Sequence, residues 1–544
     1  MSATSTASAA RRALRPRILV ADELGQAGLE ILRQAGEVDV RTGLKPRELA
    51  AVLPPYHALV VRSATKVDAE ALELASNLVV IGRAGIGVDN IDVDAATARG
   101  IAVMNSPEAG ATTTAELAIA LLVSLARKIP QADASLRAGK WEKSKFSGVE
   151  LNGKTLGVLG LGRIGRVVAA RGAGLAMRVI AHDPFVRPGG EPAGVTLVDF
   201  ERLLAESDFL SVHVPLSDAT RHLIGAAEFA KLKPGARLVH CARGGIVDEA
   251  ALLAALESGR LAGAALDVFE EEPVRKEHPL LARADVIVTP HIGASTEEAK
   301  HAVALAIARQ VAACLKSGLV LNGVNVPLVA PADAEFLTPY LMLAERLARL
   351  LASLYPGRPR TLRVLAQGEI GERAARPLLV RALVGALHGH DGLVVTQVNA
   401  ERIARERGVA TSAEQSALKQ DFVNLVRVEI DGPHGLHHAS GTLIGRRHLR
   451  LVELDEFLLD AIPEGALLVT HHADRPGVAG RIGTLLGDAG LNIARLQIGL
   501  PRERARRALG VFNLDAAPGA ALLAQLAATD GVELARCVEL GGAP

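Results

Sequence analysis

The stretch Lys154-Thr155-Leu156-Gly157-Val158-Leu159-Gly160-Leu161-Gly162-Arg163-Ile164-Gly165-Arg166 decides the fold of the chain. Its first part, Thr155 to Leu159, is a short apolar run that indicates a buried parallel strand. The glycines that follow have the spacing G-x-G-x-x-G. They allow a tight turn, close approach of the backbone to a pyrophosphate, and close packing of a helix on the strand. The stretch therefore predicts the start of a Rossmann-type dinucleotide-binding domain.

The residues after the first two glycines carry the rest of the binding pattern. The predicted helix presents the N–H groups of its first turn, at Arg163, Ile164 and Gly165, to the phosphates. A second apolar run ends at Asp183, at the distance where an acid accepts hydrogen bonds from the adenosine ribose. The acid favours NAD over NADP, because a 2′-phosphate would meet its negative charge. Strand, glycines, helix, strand and acid in this order favour dinucleotide binding over a structural turn in a chain with 53 glycines.

Length and composition exclude several classes of protein. At 544 residues the chain is too long for one core, so about three or four domains are expected. With a formal net charge of +1 and dispersed Lys and Arg, the sequence shows no basic patch of the kind that binds nucleic acid. The longest apolar run, 117–126, is too short to cross a bilayer, and three cysteines far apart in sequence fit a reducing cytoplasm. Residues 1–16 are predicted as a disordered tail, with a transit peptide as the alternative.

Strands and helices alternate before the glycine motif, which predicts a parallel sheet of flavodoxin-like type. Ligands of such sheets bind beyond the carboxyl ends of the strands. Two arginines and several small polar residues follow those ends, and this combination suits a small anionic substrate. The residues are Arg62, Ser63, Arg83, Gly85 and Asn105.

Beyond Asp183 three successive strands end at Arg243, Glu272 and His291. Hydride transfer from an alcohol needs a base for the hydroxyl proton, and histidine suits this task because its unperturbed pKa is near neutrality. We therefore predict that His291 is the acid/base, that Glu272 orients it, and that Arg243 clamps the substrate carboxylate and carbonyl. The alternative interpretation is a loop histidine beside a solvated acidic run.

Four segments together resemble the D-isomer-specific 2-hydroxyacid dehydrogenase family: Gly160 to Gly165, Cys241 to Gly245, Asp267 to Pro273, and Pro290 to Thr296. The resemblance implies a substrate domain over 17–110 and 295–327, completed by a helix from Glu297 to Ser317, with an NAD domain over 111–294 inserted in it. It also implies further cofactor contacts, at Val214, Cys241, Ala242, Arg243, Asp267, His291, Gly293 and Ala294.

Within this family, the segments Arg62 to Val67 and Gly82 to Asp92 resemble the branch that oxidises D-3-phosphoglycerate. That branch implies formation of 3-phosphohydroxypyruvate, the first step of L-serine biosynthesis, with Arg62, Ser63, Arg83 and Asn105 around the phosphate and carboxylate. One alternative is a glyoxylate or hydroxypyruvate reductase of the same family. The other is an NAD-sensing binding protein of the corepressor type, which the predicted catalytic residues and the lack of a basic patch disfavour.

The C-terminal third has no catalytic constellation. Residues 328–462 resemble the intervening α+β domain of long-form members of that branch, and the segment Gly441 to Arg447 carries this resemblance. His434, His437 and His438 have no further ligands near them in sequence, so no metal site is predicted.

Residues 463–544 predict a βαββαβ unit that is similar to the ACT regulatory domain. This resemblance implies that His472, Asp474 and Asn492 bind L-serine and that such domains pair, giving a homotetramer. Trp141 is predicted to pack at a domain junction.

Overall fold

The structure is a computed structural model that describes residues 15–327, 329, 333–389, 394–416, 422–501 and 506–541. The predicted tail therefore lies almost entirely outside the described residues. Contacts divide the chain into two units: the first comprises Met1–Ala84, Val88–Asn105 and Ile307–Pro544, and the second Gly85–Gly87 and Ser106–Ala306. No helix in the described part of the chain is long and apolar enough to cross a membrane.

The first unit begins with a parallel sheet that has the order β2-β1-β3-β4-β5 among the described residues. Strands β1, β3, β4 and β5 are apolar and largely buried, as expected when helices cover a parallel sheet, whereas β2 is exposed or half-buried along its length. Since β3, β4 and β5 are neighbours, their carboxyl ends share one edge. The elements are β1 (Arg17–Val20), α1 (Gln26–Ala35), β2 (Glu37–Val40), α2 (Pro46–Val52), β3 (Ala58–Val61), α3 (Ala69–Leu74), β4 (Val80–Arg83), α4 (Val93–Ala98) and β5 (Ala102–Met104).

The chain returns to this sheet after the second unit through helix α11 (Glu297–Ser317), whose bounds match the prediction. The close approach depends on Gly82, where a Cβ would stand 2.6 Å from Val311 Cγ2 and 2.9 Å from Ile307 Cγ1. Asn325 then ties the returning chain to β5, because its Oδ1 accepts a hydrogen bond from the N–H of Val103 at 2.9 Å.

The second unit contains a parallel sheet with the order β12-β11-β10-β9-β6-β7-β8 over its described strands. The chain leaves β6 in one direction for β7 and later reappears on the other side at β9, so the strand order reverses beside β6. Ligands of open α/β sheets bind at such a reversal. The elements are α5 (Ala111–Arg127), α6 (Ile129–Arg137), β6 (Thr155–Leu159), α7 (Arg163–Gly174), β7 (Arg178–His182), β8 (Val195–Leu197), α8 (Phe200–Glu206), β9 (Phe209–Val212), α9 (Ala226–Lys231), β10 (Ala236–His240), α10 (Glu249–Glu257), β11 (Leu261–Leu266) and β12 (Val286–Val288).

Trp141 does not pack at a junction within the described chain. The residue is 84% exposed, in the segment between α6 and β6, so the prediction made for it is wrong. The flanking residues, two lysines and a glutamate, favour solvent and keep this segment at the surface, although tryptophan is highly buried on average.

The C-terminal third of the first unit forms one continuous sheet with the order β14-β13-β15-β16-β17-β18-β20-β21-β19-β22 among the described strands. The pairing of Phe457 and Leu458 with Pro501 and Leu500 joins the intervening part to the βαββαβ unit. Helix α12 packs residues of both parts into one hydrophobic core. The elements are α12 (Ala334–Leu354), β13 (Thr361–Gly368), α13 (Glu369–Ala386), α14 (Ala400–Glu406), β14 (Ala410–Ser416), β15 (Asn424–Gly432), β16 (Gly435–Ile444), β17 (His448–Leu454), β18 (Phe457–Ala461), β19 (Ala466–Ala473), α15 (Val478–Asp488), β20 (Ile493–Pro501), β21 (Arg507–Leu514), α16 (Ala520–Ala527) and β22 (Val532–Glu539).

Candidate active site

The glycine loop between β6 and α7 has the shape that a pyrophosphate requires. Gly160 adopts a φ of +91°, which a residue with a side chain rarely adopts. A Cβ on Gly165 would stand 2.0 Å from the carbonyl oxygen of Gly160, so only glycine lets the helix pack this closely on the strand. Around Gly162, in contrast, no atom lies within 4 Å of the Cβ position. This open position, beside the N-terminus of α7, fits the backbone approach to a phosphate.

The two glycines should therefore respond differently to alanine. We expect Gly162→Ala to change the free energy of unfolding by at most about 1 kcal/mol but to weaken NAD binding about tenfold or more, since the new methyl group occupies the phosphate path. Gly165→Ala should lower the free energy of unfolding by at least about 1–3 kcal/mol, because the new methyl group would collide with the backbone of Gly160. Thermal melts and NADH titration of both variants check this pair. Equal losses of stability would contradict it.

Asp183 lies at the end of β7 and is bound to the glycine loop. Its Oδ2 accepts a hydrogen bond from the N–H of Leu161 at 2.8 Å, and its Oδ1 accepts one from the N–H of Phe185 at 2.9 Å. A carboxylate has further lone pairs for ribose hydroxyls. The geometry thus fits the adenosine half of NAD and places a negative charge where NADP would carry its phosphate.

Arg243, Glu272 and His291 follow β10, β11 and β12, which are neighbours in the sheet. The Nδ1 atom of His291 lies 2.6 Å from Oε2 of Glu272, and Oε1 of Glu272 accepts a hydrogen bond from the N–H of Phe269 at 3.0 Å. Burial raises the pKa of Glu272, but the bond with His291, the Phe269 N–H and the charge of Arg243 outweigh it and hold the pKa below its usual value. Glu272 is therefore a carboxylate, which assigns the proton of the neutral imidazole to Nδ1 and leaves Nε2 to accept one.

The backbone around His291 is held by Asp267, the residue that follows β11. His291 has a φ of +52°, an uncommon conformation for a residue with a side chain. The N–H of His291 donates to the carbonyl of Asp267, while the N–H groups of Ile292 and Gly293 donate to its two carboxylate oxygens at 2.8 and 2.9 Å. Thr289 Oγ1 donates to the same carboxylate at 2.6 Å. Through these hydrogen bonds Asp267, which is only 1% exposed, holds the loop of His291, and it also belongs to the predicted nicotinamide contacts.

Gly244 brings the turn after β10 against the loop that carries Glu272. A Cβ on Gly244 would stand 1.7 Å from the carbonyl oxygen of Phe269. The turn of Arg243 and the loop of Glu272 are therefore in direct backbone contact. Among the other predicted cofactor residues, Cys241, Ala242 and Gly293 are buried, Val214 is half-buried and Ala294 is exposed. Burial raises the pKa of the Cys241 thiol well above its ordinary value, so the thiol is not a nucleophile.

The predicted substrate residues of the first unit lie at one sheet edge. Arg62 and Ser63 follow β3, Arg83 ends β4, and Asn105 follows β5. Gly85 falls in the second unit, where its carbonyl accepts a hydrogen bond from the N–H of Ser106 at 2.8 Å.

Two residues that sequence reasoning missed hold the Arg62 loop. Asp22 Oδ2 accepts from the N–H of Arg62 at 2.5 Å, and Asn90 Nδ2 donates to its carbonyl at 2.7 Å. The signal for Asp22 was an acid two positions after the apolar strand β1.

The three residues predicted to bind serine do not share one environment. Asp474 and Asn492 are exposed, whereas His472 is 4% exposed and lies against Gly510 of the neighbouring strand. The Nδ1 atom of His472 is 3.1 Å from the carbonyl oxygen of Ala473. No group of three His, Cys, Asp or Glu side chains in the described part of the chain is placed to hold a metal ion.

Comparison with known proteins places this geometry in a family. The model of the D-isomer-specific 2-hydroxyacid dehydrogenase NAD-binding domain matches residues 119–293, that of the D-3-phosphoglycerate dehydrogenase intervening domain matches 336–455, and that of the ACT domain matches 466–531. A D-3-phosphoglycerate dehydrogenase of Archaeoglobus fulgidus is 41% identical over 96% of this chain and 100% of its own length. The chain belongs to the D-3-phosphoglycerate dehydrogenase family.

A further relative and a solved structure are also similar to this chain. A chloroplastic D-3-phosphoglycerate dehydrogenase of Arabidopsis thaliana is 41% identical over 91% of this chain and 83% of its own length. The crystal structure of a glyoxylate reductase from Paecilomyes thermophila covers 57% of this chain and 98% of its own, with 34% identity and a TM-score of 0.54. The predicted fold class and the NAD-binding domain are thereby confirmed, and the three family models match successive parts of the chain.

Proposed function

We propose that this chain oxidises D-3-phosphoglycerate to 3-phosphohydroxypyruvate with NAD, the first step of L-serine biosynthesis. The observation that carries the proposal is the bond between His291 Nδ1 and the Glu272 carboxylate, beside Arg243 at neighbouring strand ends. The choice of D-3-phosphoglycerate as the substrate comes from the names of the relatives described above. Incubation of the full chain with D-3-phosphoglycerate and NAD should yield a product with the mass of 3-phosphohydroxypyruvate. Absence of that mass, with NADH formed from another hydroxy acid, would contradict the assignment.

The proton steps follow from the geometry of the catalytic residues. His291 Nε2 takes the proton of the C2 hydroxyl, because Nδ1 already donates to Glu272. The Glu272 carboxylate stabilises the imidazolium that forms and keeps the ring in place. When bound, NAD supplies the nicotinamide carbon that accepts the hydride from C2. Microscopic reversibility makes the protonated His291 the acid for the reverse reduction.

Three arginines bind the anionic groups of the substrate in this proposal. Arg243 binds the substrate carboxylate and polarises the developing C2 carbonyl, which suits a guanidinium because it stays charged and donates bidentately. Arg62 and Arg83 bind the carboxylate and phosphate of the acid, with Ser63, Gly85 and Asn105 as polar partners. The proposed domain bounds are 17–110 with 295–327 for the substrate domain, 111–294 for the NAD domain, 328–462 for the intervening domain and 463–544 for the ACT domain.

We also propose that L-serine inhibits the enzyme through the ACT domain, by contacts with His472, Asp474 and Asn492. The match to the ACT domain and the exposed side chains of Asp474 and Asn492 support this. Asn492→Ala should raise the serine concentration for half-inhibition at least about tenfold, since a hydrogen bond to a charged amino acid is lost. The matched control is Asn77→Ala, an exposed asparagine outside the ACT domain. If serine inhibited Asn492→Ala as strongly as the wild type, the proposed serine site would be wrong.

We propose a homotetramer in the cytoplasm. In favour of self-association, α6 has no buried residue, and Ile129, Leu136 and Trp141 are all exposed on this part of the second unit. Large exposed apolar side chains near one another mark association surfaces. All three cysteines lie in the described chain and are free, which suits a reducing compartment. The mass of the full chain in solution, by light scattering, tests the oligomeric state.

A further inference from the structure

A buried histidine that takes no part in the proposed proton steps lies directly behind Arg243. His240 is the last residue of β10 and is 2% exposed. Its Nε2 atom lies 2.9 Å from the carbonyl oxygen of Arg243. A carbonyl oxygen can only accept, so Nε2 carries the proton and donates. The Nδ1 atom has no hydrogen-bond partner among the described residues.

The surroundings keep this imidazole neutral. Burial lowers the pKa of His240 to about 4, against which the Arg243 carbonyl contributes only a partial increase, and the charge of Arg243 lowers it further. A second imidazole, that of the half-buried His213, follows the end of the neighbouring strand β9, and its Nε2 bonds with Ser211 Oγ at 2.7 Å. Below pH 4 a protonated His240 would be repelled by the Arg243 guanidinium, and its Nδ1–H would have no acceptor among the described residues. At neutral pH the ring is therefore a fixed donor and exchanges no proton with the reaction.

The hydrogen bond from His240 reaches the backbone carbonyl of Arg243, the residue whose guanidinium is proposed to bind the substrate. The turn after β10 is held from the other side by the contact of Gly244 with the Phe269 carbonyl. His240 closes the turn at the Arg243 carbonyl, so the peptide plane of Arg243 has a fixed orientation before substrate binds. Displacement of a catalytic group by about 1 Å costs about 10²-fold in rate.

We propose that His240 is a positioning residue for Arg243, setting the direction of its guanidinium through the Nε2–H bond to the Arg243 carbonyl. The inference rests on the proposed function only in that Arg243 binds the reacting acid. No role in proton transfer follows from it, and His291 remains the group that is proposed to accept the hydroxyl proton.

The decisive experiment is a double-mutant cycle between His240→Leu and Arg243→Ala in the full chain. We expect His240→Leu to lower kcat/KM for D-3-phosphoglycerate about 10- to 100-fold, with KM for NAD within about twofold. In the Arg243→Ala background the same change should cost less than about twofold, because the residue through which it acts is gone. Equal losses in both backgrounds would overturn the proposal. The pH profile of the active variants should keep its shape.

Two further variants separate positioning from folding. His240→Gln places an amide N–H where Nε2 lies, so it should restore kcat/KM to within about threefold of the wild type. His57→Leu removes another imidazole bond to backbone, from the N–H of Arg17 at 3.1 Å, in the first unit, and should leave kcat/KM unchanged. A failure of the glutamine variant in a chain that melts normally would count against the proposal.

Hydrogen exchange of the amides from Cys241 to Gly245 tests the positioning without turnover. Faster exchange in His240→Leu, restored in His240→Gln, is expected even if the wild-type chain does not oxidise D-3-phosphoglycerate. Unchanged exchange would overturn the role of His240. Absence of wild-type turnover would instead contradict the proposed function.

Discussion

Replacing His291 by asparagine is expected to lower kcat about 10²- to 10⁴-fold while the chain stays folded. The loss follows because Nε2 of His291 is the only proposed acceptor for the C2 hydroxyl proton, and asparagine cannot accept it. Asparagine is the better test than alanine, since His291 has a φ of +52° and asparagine tolerates this conformation. Steady-state kinetics and a thermal melt of the same preparation measure both effects.

The chain offers a matched control for this substitution. His222 also has a positive φ, of +51°, is about as exposed as His291 and pairs with a glutamate, Glu270, at 3.3 Å. His222→Asn should therefore lower kcat by less than about twofold. If His291→Asn retained wild-type kcat, or if both variants lost activity equally, the acid/base assignment would be wrong.

Alanine at Gly244 should damage both stability and catalysis. The new Cβ would stand 1.7 Å from the carbonyl oxygen of Phe269, 2.3 Å from its carbonyl carbon and 2.8 Å from the nitrogen of Glu270, so backbone must move. We expect the free energy of unfolding to fall by about 1–3 kcal/mol. Because the turn of Arg243 and the loop of Glu272 move apart, kcat/KM should fall about 10²-fold. Denaturant unfolding and initial rates give the two values.

Gly174→Ala is the control for that change. Gly174 lies in the last turn of α7, is exposed, and has no atom within 4 Å of its Cβ position. Alanine there should leave kcat/KM unchanged and should stabilise the helix by up to about 1 kcal/mol. Wild-type kinetics of Gly244→Ala would show that the contact with Phe269 does not set the position of Arg243.

Short-range patterns predicted the strands that hold the chemistry. Thr155–Leu159 and Arg178–His182 have the bounds expected from their apolar runs, because both strands are buried on two faces. The positions of Arg243, Glu272 and His291 followed from strand alternation, since the carboxyl ends of parallel strands share an edge. Their side-chain geometry, including the bond of Glu272 to His291, is supplied by the loops.

Contacts between distant segments escaped prediction. Asp267 is 22 to 26 positions from its hydrogen-bond donors in the catalytic loop, and Asp22 is 40 positions from Arg62. The pairing of β18 with β20 depends on two residues of each strand, which no local period reveals. The burial of His472 is a similar case, because the face that a strand residue presents depends on the sheet around it.

The most direct test of the account is the initial rate of NADH formation by the full chain, measured with D-3-phosphoglycerate and, in parallel, with D-glycerate. The two acids share the reacting carbon and the carboxylate, so the comparison isolates the phosphate that the arginines are proposed to bind. We predict turnover with D-3-phosphoglycerate and a kcat/KM at least about 10²-fold lower with D-glycerate, as expected when a charged group loses its partner. Equal or faster oxidation of D-glycerate would contradict the proposed substrate and favour a reductase of unphosphorylated acids.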